Sequence, residues 1–137
     1  MTIAVSSAND QKGWLCLTLT GAASTASGGL GEFANPEGVP LAITRVFAYF
    51  RTGSTGAANL DIGVGATATK CTDVVSTFDM IEATVGGKAF YLPAAQVAET
   101  EVPTALWAAN TFLSFTGSAT SVGLDADIYV EYIRLDA

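Results

Sequence analysis

The sequence predicts an all-β protein, folded as a single-domain antiparallel β-sandwich or jelly roll of about seven to eight strands with one or two short helical turns. Three observations support this fold class. Apolar and polar residues alternate along several short stretches, as they do in strands with one buried face. Clusters of glycine and proline separate those stretches and supply the backbone angles of tight turns. No stretch has the period and length of a long amphipathic helix.

The first two strong strand patterns lie in the N-terminal half. In residues 14–20, three leucines share one face and Trp14, Cys16 and Thr18 share the other. We interpret Cys16 as a small buried hydrophobic residue of this strand. Residues 41–51 are apolar on both faces, which predicts a central strand. The alternation there places Ile43, Phe47, Tyr49 and both arginines on one face, and Ala42, Val46, Ala48 and Phe50 on the other.

The remaining strands follow in order along the chain. Residues 59–64 alternate between aliphatic and polar side chains, which predicts a strand with one solvent-exposed face. Residues 88–92 and 111–116 are short strand candidates. In residues 127–135, the last strand, one face is Ile128, Val130 and Tyr132, and the other is Tyr129, Glu131, Ile133 and Leu135.

Two segments carry helical signals. Residues 72–83 have apolar residues at helical spacing, with Thr72 placed as an N-cap and Gly86 just past the end. Residues 103–110 fit a short turn with Trp107 on its inner side. The domain itself is predicted to span residues 13–137, preceded by a polar N-terminal arm of residues 1–12.

The charge of the chain excludes several classes of partner. The 137 residues include 6 Lys and Arg against 13 Asp and Glu, so the net charge is −7. The cations are scattered singly, which argues against binding to nucleic acid or an anionic membrane. Only 14% of residues are charged, so the surface can lie against a neighbour without desolvating many charges. The first residues carry no secretory signal pattern, which predicts a protein that is made in the cytoplasm and whose route outward is something other than standard secretion.

No residue pattern predicts catalysis, a metal or a cofactor. The absence of histidine removes the usual general base and the commonest metal ligand. The acidic residues are dispersed, and Asp125 and Asp127 lack the loop pattern of a calcium site. The glycines at 28, 29 and 31 lack the Lys-Ser/Thr that follows a phosphate-binding loop. We therefore expect neither an enzyme nor a metalloprotein.

The predicted interface lies on the second face of the last strand and in the loop of residues 22–40. Tyr129 is the best candidate for an exposed aromatic side chain, because it shares its strand face with Glu131. That face is apolar enough to contact another subunit. The long, glycine-rich loop and the N-terminal arm are expected to add intersubunit contacts. The predicted interface residues are Tyr129, Glu131, Ile133, Leu135, Leu30 and Phe33.

Two segments give the chain a resemblance to a known class of proteins. They are residues 39–65 (VPLAITRVFAYFRTGSTGAANLDIGVG) and 110–135 (NTFLSFTGSATSVGLDADIYVEYIRL), set in a body rich in Ala, Gly and Thr. In this strand pattern the chain resembles the small virion structural proteins of tailed bacteriophages, in particular head decoration (capsid cement) proteins. The resemblance implies a non-enzymatic protein that forms a trimer or other closed oligomer, binds a major capsid protein and stabilises the head lattice. It also implies a virion location after assembly in the host cytoplasm.

A carbohydrate- or receptor-binding jelly-roll module, of a phage fibre or a lectin-like protein, is the alternative. Aromatic side chains on a sheet face can stack on sugar rings or form an interface hot spot. An exposed cluster involving Trp107 or Tyr129 would favour ligand binding. A flat apolar face along Tyr129, Ile133 and Leu135 would favour assembly.

Overall fold

The computed structural model of the protein describes residues 12–92 and 105–135. These residues form nine strands and one short helix. The predicted arm, up to residue 11, lies outside the described residues. The elements are β1 (Lys12–Thr20), β2 (Gly31–Ala34), β3 (Leu41–Thr52), β4 (Asn59–Gly65), β5 (Val75–Asp79), α1 (Glu82–Val85), β6 (Lys88–Leu92), β7 (Ala105–Trp107), β8 (Phe112–Gly117) and β9 (Asp125–Arg134).

The strands form two antiparallel sheets that face each other. Sheet 1 has the order β1-β9-β3-β6, and β7 pairs with β3 beside β6. Sheet 2 has the order β2-β8-β4-β5. The prediction of an all-β antiparallel sandwich is confirmed, with nine strands described instead of seven to eight. Residues 41–51, predicted to form a central strand, lie in the middle of sheet 1 as β3, next to β9.

The core lies between the two sheets. Alternate residues of each strand point into it, as the period of two requires. Burying an aliphatic or aromatic side chain of this kind stabilises the fold by roughly 1.5–3 kcal/mol. The largest fully buried side chains are Trp107, Phe50, Phe115, Leu41, Leu60, Ile62, Met80, Leu92, Leu113, Ile128, Val46 and Val75.

A β-bulge in β3 corrects the predicted faces of that strand. The register between β3 and β9 shifts between Ile43 and Arg45. The extra residue switches which face each later side chain occupies. Ile43 is therefore buried in the core on the same face as Val46 and Phe50, contrary to the prediction. After the bulge, Phe47 and the arginines lie on the outer face as predicted.

The helix predicted over residues 72–83 was wrong. Val75–Asp79 forms the edge strand β5 on β4, and the helix α1 is only the four residues Glu82–Val85. Pairing with β4 overrides the helical spacing, as tertiary context often does for a weak local signal. The predicted turn around Trp107 is the strand β7, and Trp107 does point inward. No helix in the described part of the chain is long or apolar enough to cross a membrane.

Candidate interface on the outer face of sheet 1

The outer face of sheet 2 is covered by the chain itself. Residues 66–74 lie over β4, where Lys70 forms an ion pair of 3.1 Å with the buried Asp61. A side chain at Gly63 would collide with this segment, because its Cβ would lie 2.3 Å from the Cβ of Cys71. The prediction that this face of β4 is exposed to solvent was therefore wrong.

The loop at Gly28 adds to this cover, over β8. The backbone N–H of Gly28 donates to Oγ1 of Thr116, which points outward from β8, at 2.9 Å. Ser114 and Thr116 on this face of β8 are both buried. Sheet 2 therefore offers little of its outer face to a partner.

The outer face of sheet 1 is open. Strand alternation puts bulky apolar side chains there from five different strands, and they keep between 37% and 57% of their surface exposed. Exposed apolar surface of this extent on one face is typical of an interaction site. We refer to this surface as the outer face. Its exposed apolar residues are Trp14, Tyr49, Tyr91, Leu106, Tyr129 and Ile133.

Aromatic rings form a connected row across the outer face. The rings of Trp14 and Phe47 stack with centroids 6.3 Å apart, and Phe47 meets Tyr91 edge-on at 5.0 Å. The guanidinium of Arg45 lies 5.6 Å from the Trp14 ring and 5.7 Å from the Phe47 ring, within cation–π range. These contacts hold the rings in fixed positions before any partner arrives, which reduces the entropy lost on binding.

The central charges of the outer face neutralise one another. Arg45 donates two hydrogen bonds to the carboxylate of Glu131, from Nε at 2.8 Å and from Nη2 at 2.6 Å. Thr44 donates a third at 2.8 Å, and the Lys12 ammonium lies 3.8 Å away. These donors, Arg45 first, lower the pKa of Glu131 to about 2. Glu131 is thus held ionised although only 5% of its surface is exposed.

A second ion-pair cluster lies at the other end of the same strands. The Arg51 guanidinium donates to Asp125 at 2.7 Å and to Asp127 at 2.6 Å. These hydrogen bonds lower the pKa of both carboxyl groups and raise the pKa of Arg51. Thr18 also donates to Asp127 at 2.9 Å. The apolar part of the outer face is therefore bordered by charges that are already paired.

The low pKa of Glu131 predicts acid sensitivity. Because its pKa is about 2 in the folded protein and near 4.5 otherwise, its contribution to stability is complete above pH 4.5. That contribution is lost as pH falls from 4.5 towards 2. We expect Glu131→Gln to lower the free energy of unfolding at pH 7 by about 1–2 kcal/mol. Urea denaturation between pH 7 and pH 2.5 measures both effects.

The variant also provides the control for this prediction. Glu131→Gln should be less sensitive than the wild type between pH 5 and pH 2.5, because the group that titrates is gone. Equal acid sensitivity of the two proteins would assign the effect to other carboxyl groups, such as Asp125 and Asp127.

The structure brings together four of the six predicted interface residues. Tyr129, Glu131 and Ile133 point outward from β9, and Leu135 follows the strand with 41% of its surface exposed. The exposed state of Tyr129 matches the prediction from its strand face. Cys16, predicted to be buried, is exposed on the same face. The alternation of residues 14–20 already indicated that Cys16 is exposed, since it puts Cys16 on the same strand face as Trp14 and Thr18.

The other two predicted residues lie elsewhere. Leu30 and Phe33 pack against the core beside β2, at the open side of the sandwich. There they line a cavity of 260 Å³ between the edge strands β1 and β2, together with Leu17 and Phe115. The row Trp14–Phe47–Tyr91 could not be assembled from the sequence, because its members come from three strands whose order in the sheet is not visible in the chain. Within residues 12–92 and 105–135, no three His, Cys, Asp or Glu side chains cluster to hold a metal.

The fold and this face define a two-sheet antiparallel β-sandwich with one covered and one open outer face. The same fold occurs in a chain from the capsid of Ralstonia phage GP4, with a TM-score of 0.62 and 14% sequence identity. The match covers 100% of this chain and 92% of that chain. At this identity the likeness establishes a shared fold. No protein-family model and no curated protein matches the sequence.

Proposed function

We propose that this chain is a non-enzymatic structural protein of a phage virion, and that it acts as a capsid decoration protein that binds and stabilises the head lattice. One observation carries the proposal. The outer face exposes a row of ordered aromatic and aliphatic side chains, while Arg45 and Arg51 are already paired with carboxylates. A neighbour can cover such a face without desolvating an unpaired charge.

The position of the aromatic residues supports assembly over the binding of a small ligand. Trp107 is fully buried, whereas Tyr129, Ile133 and Leu135 are exposed along one side. The buried Trp107 and the exposed Ile133 and Leu135 support assembly, whereas the exposure of Tyr129 is expected for either function. A broad, shallow face of modest contacts suits a lattice, because symmetry repeats each contact many times.

The shared fold adds independent support. The likeness to the GP4 capsid chain extends over 100% of this chain and 92% of that chain, so it concerns the whole fold and not one motif. In the proposed role the partners are a major capsid protein and further copies of this chain. The location is the virion, assembled in the host cytoplasm. The net charge of −7 supports a protein partner and not nucleic acid or an anionic membrane.

The test is to purify heads of the phage or prophage whose genome carries this sequence. Quantitative mass spectrometry should find the chain in a fixed ratio to the major capsid protein. Mild denaturant should release it, and purified chain should rebind to the depleted heads and raise the temperature at which they release their genome. Absence of the chain from heads, or its presence only in isolated tails or fibres, would overturn the decoration role.

Carbohydrate binding is the second candidate function, favoured by the exposure of Trp14 and Tyr91 at 48% and 47%. Such rings can stack on sugars. Against it, the rings of Phe47 and Tyr91 are inclined by 77°, so the row does not form one flat platform. A glycan titration followed by tryptophan fluorescence decides the question. Saturable quenching that disappears in Trp14→Ala would establish this candidate, and an unchanged spectrum would remove it.

A further inference from the structure

The first strand of sheet 1 has an edge that no described strand occupies. β1 pairs with β9 along all nine of its residues, and no described strand pairs with its other side. An open edge presents backbone N–H and C=O groups that can pair with another chain. Natural proteins protect such edges by making them short, by charging them, or by distorting them with bulges and prolines.

The other edges of the two sheets carry such protection. β2 has only four residues and includes Glu32. β5 has a register irregularity against β4 and a positive φ of 56° at Thr77. The far edge of sheet 1 consists of the two short strands β6 and β7, of five and three residues.

β1 differs from the other edges in every one of these respects. It has nine residues, a continuous register with β9 and no proline, and its single charged residue, Lys12, is at its first position. The sequence WLCLT at its centre favours the extended conformation. Its inward-facing side chains also have room for a neighbour. Leu15 and Leu17 are only partly buried, and Leu17 lines the 260 Å³ cavity between β1 and β2.

We propose that β1 pairs antiparallel with β1 of a second copy of this chain, about a two-fold axis that passes midway between the two Cys16 residues. Cys16 is the middle residue of the nine in β1, so this register pairs the whole strand with itself. Each Trp14 then lies opposite Thr18 of the second copy, and each Leu15 lies opposite Leu17. An interface of this kind uses the same surface on both copies, which is what a closed dimer requires.

The residues of β1 suit self-pairing on both faces. Opposite residues of antiparallel strands point to the same side of the sheet, so Leu15 and Leu17 of both copies meet on the inner side. There they extend the core next to the cavity between β1 and β2 that Leu30 and Phe33 line. On the outer side, Trp14, Cys16 and Thr18 bring no like charges into contact. No charged residue lies within positions 13–20 to oppose the pairing or to orient it otherwise.

The pairing would join two copies of sheet 1 into one continuous sheet and place their outer faces side by side. The pairing deepens the proposed function by naming the contact between copies. Its biological role rests on the proposed function, but its formation does not. The contact forms in solution without a capsid. A failure to dimerise would therefore leave the head-binding test unaffected.

The decisive experiment uses charge at position 16. In Cys16→Lys, two ammonium groups face each other at the two-fold axis, and we expect the dimer dissociation constant to rise about fivefold. Cys16→Glu should have the same effect, and an equimolar mixture of the two variants should recover the affinity by forming the mixed pair. Cys16→Thr is the control, because it keeps an exposed, uncharged strand former at this site. Sedimentation equilibrium measures each dissociation constant.

Cross-linking gives a second readout that does not depend on affinity. Directly opposed residues have Cα atoms about 4.5–5.5 Å apart, within the reach of a short bismaleimide. Cys71→Ser should therefore cross-link to a dimer through Cys16, and Cys16→Ser should not. A monomeric wild type, a trimer, or variants whose mixture shows no recovery would overturn the proposal.

Discussion

The double variant Tyr129→Lys/Ile133→Glu is expected to bind phage heads at least about 100-fold more weakly than the wild type. Each position lies where an interface hot spot is expected. Each substitution also adds a charge that must be desolvated when the partner binds. The substitutions are chosen so that the free protein still folds. A lysine at 129 lies two residues from Asp127 and Glu131 on the same face of β9, and a glutamate at 133 lies opposite Lys12. Both new charges therefore have a complementary neighbour in the monomer.

The control for this prediction is Val122→Lys. Val122 is 52% exposed in the turn before β9, away from the outer face, and its contact with Thr55 is made through its backbone carbonyl. This variant should rebind depleted heads as the wild type does. Binding is measured by co-sedimentation over a range of protein concentrations. Unchanged binding of the double variant would show that the outer face does not contact the capsid.

The largest effect on stability is expected from Trp107→Ala, at about 3–5 kcal/mol. Trp107 is fully buried, its ring meets Phe33 edge-on at 6.4 Å, and its Nε1 donates to the carbonyl of Thr111 at 3.1 Å. Removing the ring leaves a cavity between the sheets and takes away one of the two hydrogen bonds that the Thr111 carbonyl accepts, the other coming from the backbone N–H of Asn35 at 3.1 Å. Urea denaturation followed by circular dichroism measures the change.

Trp14→Ala is the matched comparison, since it removes the same side chain from the outer face. Trp14 is 48% exposed, and its loss should cost less than about 1 kcal/mol. It should instead reduce binding to heads. Similar losses of stability in the two variants would contradict the assignment of Trp107 to the core and Trp14 to the surface.

Strand alternation predicted the faces of β1 and β9 correctly because both strands are regular. In β9, Ile128, Val130 and Tyr132 are buried, whereas Tyr129 and Ile133 are exposed. The same rule failed for Ile43 in β3, because a β-bulge is a local change of register that leaves no mark in an alternating pattern.

Other features depended on parts of the chain that are distant in sequence. Asp61 was predicted to face solvent because it is polar and alternates with leucine and isoleucine. It is buried because residues 66–74 fold over it and supply Lys70 as its partner. The pairing of Arg45 with Glu131 joins two residues that have 85 residues between them in the sequence. Alternation gives the face of a residue but not its neighbour in the sheet, so the composition of the outer face could not be predicted as a whole.

The cover over sheet 2 has a consequence for how such a protein builds on a surface. Because residues 66–74 and the loop at Gly28 occupy that side, a copy bound through the outer face, as proposed, turns a different and already covered surface away from its support. That surface does not repeat the outer face, so a further copy has no equivalent site on it to bind. Growth would therefore stop after a single molecular layer, and copies could be added only sideways. A protein that coats a particle of fixed size needs this limit. A molecule with two equivalent binding faces would add further layers or cross-link one particle to another.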